Sequence, residues 1–288
     1  MATVDLHQHL WPAGFVAALR ARSEVPRLQD GELVTVEGRF PFDREVHEPA
    51  RRLELLDRHG IDVAVLSLQP SLGLEALPEA EREELELLWS EEVRDIVAAS
   101  AGRFRAHAPR RVLDGFVGTC VGASALIEPE GEASLLDEVE RANGLLFVHP
   151  EATGPPTPDK PEWWGWTAGY PAQMQAAYLS WLATGRARWP SVRVVFALLA
   201  GGAPFQLERL AHRGVNVRSA LDDRAYLDVA TYGRRAIELC IETFGVEQLV
   251  YGSDTPVVDP APTLAAVRGF GDAVAQILQI DTPTALLA

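Results

Sequence analysis

Apolar residues in this chain fall into two alternating patterns. Short runs rich in Val, Ile, Leu and Phe occupy residues 3–9, 61–68, 104–107, 115–122, 145–149, 192–198, 226–229 and 248–251. Between them lie longer stretches in which apolar positions recur every three or four residues, at 12–22, 48–59, 78–100, 133–142, 172–188, 204–212, 234–244 and 260–278. The first pattern is that of buried strands and the second that of amphipathic helices. Gly60 caps one helix and Asn143-Gly144 stops another. Eight strand signals and eight helix signals, taken together, predict a single α/β domain over residues 1–288 folded as a (β/α)8 TIM barrel. A Rossmann-like open sheet is the alternative, but no G-x-G-x-x-G follows any strand. Two segments break the alternation. Residues 32–40 alternate and turn like a β-hairpin, which predicts an insertion at about 31–42 and a distorted barrel. Residues 150–169 hold five prolines and Trp163, Trp164 and Trp166, which excludes regular structure throughout and predicts a long functional loop or lid.

Composition removes several function classes. A net charge of -15 and a pI near 4.9 argue against a nucleic-acid or anionic-membrane partner. The longest apolar run, residues 192–205, is interrupted by Arg193 and Gly201-Gly202 and is too short to span a bilayer. Two cysteines, Cys120 and Cys240, do not make a disulfide framework, and no signal-peptide pattern precedes the first strand, so a cytoplasmic protein is expected. The one lysine, Lys160, sits in the Pro-rich loop without an apolar run to desolvate it, which disfavours Schiff-base chemistry. The acidic charge with an exposed hairpin is compatible with a homodimer.

Strand ends of such a barrel converge on one mouth, so side chains placed there decide the chemistry. The first strand ends in His7-Gln8-His9, whose imidazoles share one face because side chains alternate along a strand. That spacing also fits a plain half-buried strand. The fifth strand ends in His149 and the eighth runs into Asp254. Three imidazoles and a carboxylate make an N3O shell for one divalent metal ion, zinc foremost, with manganese or iron as alternatives. His47, His59 and His212 lie beside helix ends and are read as structural, whereas His107 closes the third strand signal and is a candidate for the mouth.

These motifs, namely His7-x-His9, Val148-His149-Pro150, Val194-Val195-Phe196-Ala197 with the downstream Gly201-Gly202-Ala203-Pro204-Phe205, and Tyr251-Gly252-Ser253-Asp254-Thr255-Pro256, resemble the amidohydrolase-related family. This is the branch of the amidohydrolase superfamily that includes the aminocarboxymuconate-semialdehyde and resorcylate decarboxylases. The resemblance runs from residue 3 to about residue 278. It implies a distorted (β/α)8 barrel with a β insertion after the first strand and a mononuclear metal held by His7, His9, His149 and Asp254. One position departs from the pattern. Such proteins carry a histidine at the end of the sixth strand, and counting back from Pro204 puts Leu198 in its place, or Leu199 when the glycine pair is the anchor.

Two reactions fit these parts. A metal can lower the pKa of bound water to about 7, which with Asp254 as acid/base suffices to hydrolyse a C–N or C–O acyl bond of a small aromatic or cyclic substrate. The alternative is non-oxidative decarboxylation of an aromatic or enolic acid, with Asp254 protonating the carbon as CO2 leaves. A third reading, prompted by Leu198, is a barrel that binds metal and a small ligand without turnover. Candidate substrate-binding residues are Trp11, Trp163, Trp164 and Trp166 as an aromatic wall, Arg110 as a carboxylate clamp, and His107, Leu198 and Tyr232 at the mouth.

Overall fold

The computed structural model describes residues 2–217 and 222–288. Its strands in chain order are β1 (Val4–His9), β2 (Arg27–Gln29), β3 (Glu32–Thr35), β4 (Gly38–Pro41), β5 (Val63–Ser67), β6 (Phe104–Pro109), β7 (Gly118–Gly122), β8 (Leu145–His149), β9 (Arg193–Phe196), β10 (Ala225–Asp228) and β11 (Leu249–Val250). All but β2, β3 and β4 lie side by side in the order β1-β5-β6-β7-β8-β9-β10-β11, parallel throughout. The sheet closes on itself where the Leu6 N–H donates to the Tyr251 carbonyl (3.0 Å) and the His9 N–H to that of Thr255 (2.7 Å). The predicted barrel is therefore present, and its eight strands are the eight sequence runs. The strands read as unbroken apolar runs because both faces are covered, one by the barrel interior and one by helices; all five residues of β8 are buried.

Distortion concentrates at the seam. β11 is two residues long, and the β1–β5 register shifts between Asp5 and Gln8. A bulge of this kind re-aims side chains, and His7 lies within it. Beneath it the buried Arg52 guanidinium donates to Gln8 Oε1 (2.9 Å) and to the His9 (3.0 Å) and Val46 (2.9 Å) carbonyls, which fixes the end of β1 against helix Pro49–His59.

The insertion is larger than the predicted hairpin: β2 adds a third antiparallel strand to β3 and β4. Three residues are too short a run for alternation to show. Helices at 172–188 and 260–278 are also less regular than predicted. A π-helical turn, Trp181–Gly185, interrupts the first, and Gly271, at φ +99°, breaks the second. No helix among the described residues is long and apolar enough to cross a membrane.

Candidate metal centre

His7 and His9 leave β1 on the same face, and His149 enters from the end of β8. Their ring centroids are 4.9 to 5.1 Å apart in edge-to-face contacts. Asp254 follows β11, with its backbone at φ +63° and its N–H on the His7 carbonyl (2.8 Å). Gly252 permits that approach, because a Cβ there would lie 2.2 Å from Asp228 Oδ1 and 2.6 Å from His7 Cβ. One ligand atom from each of His7, His9, His149 and Asp254 falls within 4.8 Å of the others, and all four residues are buried.

The second nitrogen of every imidazole is already engaged. His7 Nδ1 meets Asp228 Oδ2 at 2.6 Å, His9 Nδ1 the Ser67 carbonyl at 3.0 Å, and His149 Nδ1 the Pro150 carbonyl at 2.8 Å. An acceptor on each Nδ1 places the proton there and leaves the Nε2 lone pair facing inward. His7 Nε2 and His9 Nε2 then stand 3.1 Å apart, and Asp254 Oδ1 lies 3.4 and 3.2 Å from them without any hydrogen-bond donor. Lone pairs converging on a carboxylate in a buried site repel unless a cation sits among them, so the donor set fits a divalent metal. Burial pushes His9 down and His149 well down, which keeps both imidazoles neutral as ligands must be, whereas His7, also opposed by burial, is raised on balance by Asp228 and Asp254 and would give up its second proton on taking a cation. Burial works against ionised Asp254, yet the three imidazoles hold it below its ordinary value.

Other expected site residues are placed differently. His107 is not at a strand end, because β6 continues to Pro109. Its ring is stacked on Phe147, centroids 5.4 Å apart, inside the barrel, with both nitrogens unpartnered and burial pushing it down to about 3. Trp11 is no mouth wall either. It is buried, stacked on Phe42 and His47, and donates to Gln69 Oε1 (2.9 Å), which pins the insertion to the barrel. Trp163 and Trp166 are 50% and 47% exposed, Lys160 covers Trp164, and Trp166 approaches Phe40 of β4. Arg110 is paired with Glu132 at 2.8 Å rather than free to clamp a carboxylate. Tyr232 is half-buried in the loop after β10.

Leu198, two residues past the end of β9 and 8% exposed, begins an unusual turn. Leu198, Leu199, Ala200, Gly201 and Gly202 all have φ between +49° and +82°. Gly201 lies against residue 171 so closely that a Cβ would be 1.9 Å from the Pro171 carbonyl oxygen.

Asp228, Glu37 and Tyr170 escaped the sequence reading. Asp228 closes β10 and orients His7, but a lone carboxylate after a short strand reads as a cap. Glu37, at the β3–β4 turn, accepts from the Thr153 N–H (2.7 Å), the Thr153 hydroxyl (2.8 Å) and the Tyr170 hydroxyl (2.5 Å). No local spacing announces contacts across more than a hundred residues.

The amidohydrolase family profile matches residues 4–284. A 2-amino-3-carboxymuconate-6-semialdehyde decarboxylase of Dictyostelium discoideum is 23% identical, over 93% of this chain and 87% of its own length. Among solved structures, an IDCase of Metarhizium anisopliae in apo form superposes with a TM-score of 0.84 at 19% identity, covering 99% of this chain and 97% of that one. A dihydroxybenzoic acid decarboxylase of a Polaromonas species, solved with manganese and the inhibitor 2-nitroresorcinol, gives a TM-score of 0.73 at 16% identity, covering 99% and 96%.

Proposed function

Since the chain belongs to the amidohydrolase family, and with it to the metal-dependent hydrolases and carboxy-lyases of that superfamily, we propose that it is a metal-dependent, non-oxidative decarboxylase of an aromatic or enolic carboxylic acid. The observation that carries this reading is the buried convergence of His7, His9, His149 and Asp254, each imidazole oriented through Nδ1. The expectation that put acyl-bond hydrolysis first gives way, because the named relatives above are decarboxylases. The non-catalytic reading gives way to the family.

A divalent cation on the four ligands, zinc by the donor set or manganese as in the Polaromonas relative, would supply Lewis acidity for the substrate carboxylate and its neighbouring oxygen. Asp254, the cluster member whose side chain retains 12% exposure, takes a proton from the substrate hydroxyl. It returns that proton to the ring carbon as the C–C bond breaks and its electron pair passes to that carbon.

Metal-reconstituted protein should release CO2 from at least one member of a panel of hydroxybenzoic and enolic acids, with no incorporation of solvent oxygen into the organic product. Oxygen incorporation from amide, lactone or ester substrates, without CO2 from any acid, would return the assignment to hydrolysis. Asp254→Asn should lower turnover by at least about a thousandfold, as expected for loss of a group used in the transition state.

A further inference from the structure

Glu37 lies in the tight turn between β3 and β4, where Thr35 pairs with Gly38 and the Thr35 hydroxyl accepts the Glu37 N–H (3.1 Å). The turn is thus fixed from within, and the Glu37 carboxylate reaches across to another part of the chain. Its Oε1 accepts from the Thr153 N–H (2.7 Å) and hydroxyl (2.8 Å), and its Oε2 from the Tyr170 hydroxyl (2.5 Å). Thr153 and Tyr170 are the two feet of the Pro- and Trp-rich segment 154–169, so one carboxylate fastens both ends of that loop.

Two further contacts tighten the fastening. The far end of the loop folds back on the near foot, since a Cβ on Gly169 would lie 2.4 Å from Thr153 Cγ2. Phe40 of β4 meets Trp166 with ring centroids 6.4 Å apart. The stretch that joins the loop to the metal cluster is held separately, by helices around the barrel. The Glu151 N–H donates to Gln173 Oε1 (2.9 Å) and the Ser124 hydroxyl to Glu151 Oε1 (2.6 Å), beside the Pro150 carbonyl that orients His149. His149 is therefore insulated from Glu37. Hydrogen bonds to a carboxylate are charge-assisted and hold firmly while made. Glu37 and Tyr170 are only half-buried and Thr153 is exposed, so the three bonds can part without opening the core.

We propose that Glu37 is a positioning residue that latches residues 154–169 as a lid at the barrel mouth, so that the three-stranded insertion controls when the site is closed. The lid leaves the barrel from the strand end that carries His149, and the insertion follows the strand end that carries His9, so lid and latch flank the cluster from two sides. Closing such a loop keeps water out and commits the substrate. The effect on turnover rests on the decarboxylase reading of this mouth, whereas the latch itself does not.

The test is amide hydrogen exchange read by mass spectrometry on the full chain loaded with Mn2+. Glu37→Ala should speed exchange in residues 154–169 by at least about tenfold, while the insertion strands and the Mn2+ affinity stay within about twofold of wild type. Glu37→Gln keeps one acceptor oxygen and should speed exchange less. The double variant Thr153→Val, Tyr170→Phe removes two donors from the loop side, keeps the shape of both side chains and leaves the insertion untouched; it should speed loop exchange by at least about fivefold. With an acid that the CO2 panel identifies as a substrate, Glu37→Ala should lower kcat/KM by at least about tenfold at unchanged metal content, and Glu37→Gln should recover part of that loss. Loop exchange within about twofold of wild type in either Glu37→Ala or the double variant, or equally faster exchange of the insertion strands in Glu37→Ala, overturns the latch. Faster loop exchange at unchanged kcat/KM overturns the lid. A panel that yields no substrate counts against the decarboxylase reading, and exchange alone then decides the latch.

Discussion

At the scale of single residues, the candidate ligand set depends on neighbours outside it. Asp228 holds His7 through a 2.6 Å contact, and its other oxygen accepts the Ala230 N–H at 2.9 Å, so the carboxylate is itself fixed. Removing such a partner typically weakens metal affinity by about 10 to 100-fold, because the ring loses both its tautomer and its orientation. Asp228→Ala is expected to fall in that range in a competition titration against a chelator of known affinity. An affinity within twofold of wild type would mean that the bulge in β1 alone fixes His7. The four candidate ligands were legible in the sequence because His9 and His149 close strands, His7 shares a face with His9 and Asp254 follows the last strand, and strand ends can be counted. Asp228 also ends a strand, but nothing in Leu227-Asp228-Val229 distinguishes a carboxylate that steadies an imidazole from one that caps a loop. Tyr170 and Glu37 were illegible for another reason, being paired across 133 residues.

At the scale of elements, the turn after β9 connects the barrel to the residues above its mouth. Leu198, Leu199 and Ala200 each occupy the left-handed region, where a side chain costs roughly 1–2 kcal/mol per residue. That strain persists because the surroundings determine it. All three residues are buried, and Gly201 is locked against the Pro171 carbonyl. Leucine and alanine do not announce positive φ, so the sequence predicts only a strand, a break and a helix from residue 204. Gly201→Ala would drive a methyl group into backbone atoms that cannot give way and would add strain at φ +64°. The variant should lose at least about 2 kcal/mol of stability in urea titrations. It should also shift helix Tyr170–Ser180, whose Pro171 carbonyl Gly201 packs against, and a stability within about 0.5 kcal/mol of wild type would mean that the helix gives way without cost.

At the scale of the molecule, barrel topology was the most legible property, because eight repeats of one pattern average out errors in any single boundary. The interior beneath the cluster was not legible, since a strand shows which residues face inward but not how deep each lies. His107 illustrates this, and its depth has a consequence for pH dependence. Burial holds its imidazole neutral down to about 3, against an ordinary value of 6.5. The unfolded chain binds this proton once the pH falls below 6.5, whereas the folded barrel refuses it until about 3. The stability tied to this group is therefore fully present above 6.5 and is lost progressively as the pH falls toward 3. Buried Asp5, raised to about 6, and Glu75, raised to about 7, carry the opposite sign. Their stability contribution is present at low pH and lost as the pH rises through those values, so the full pH profile mixes both trends. A difference between variants isolates the histidine. Both His107 nitrogens lack partners, so His107→Leu sacrifices no hydrogen bond. It should match wild type within about 1 kcal/mol at pH 7.5. At pH 5 it should be more stable by about 2 kcal/mol, the work of keeping one proton off over 1.5 pH units at about 1.4 kcal/mol each. Urea titrations at the two pH values read this directly, and parallel losses in variant and wild type would show that His107 takes up its proton without unfolding the barrel.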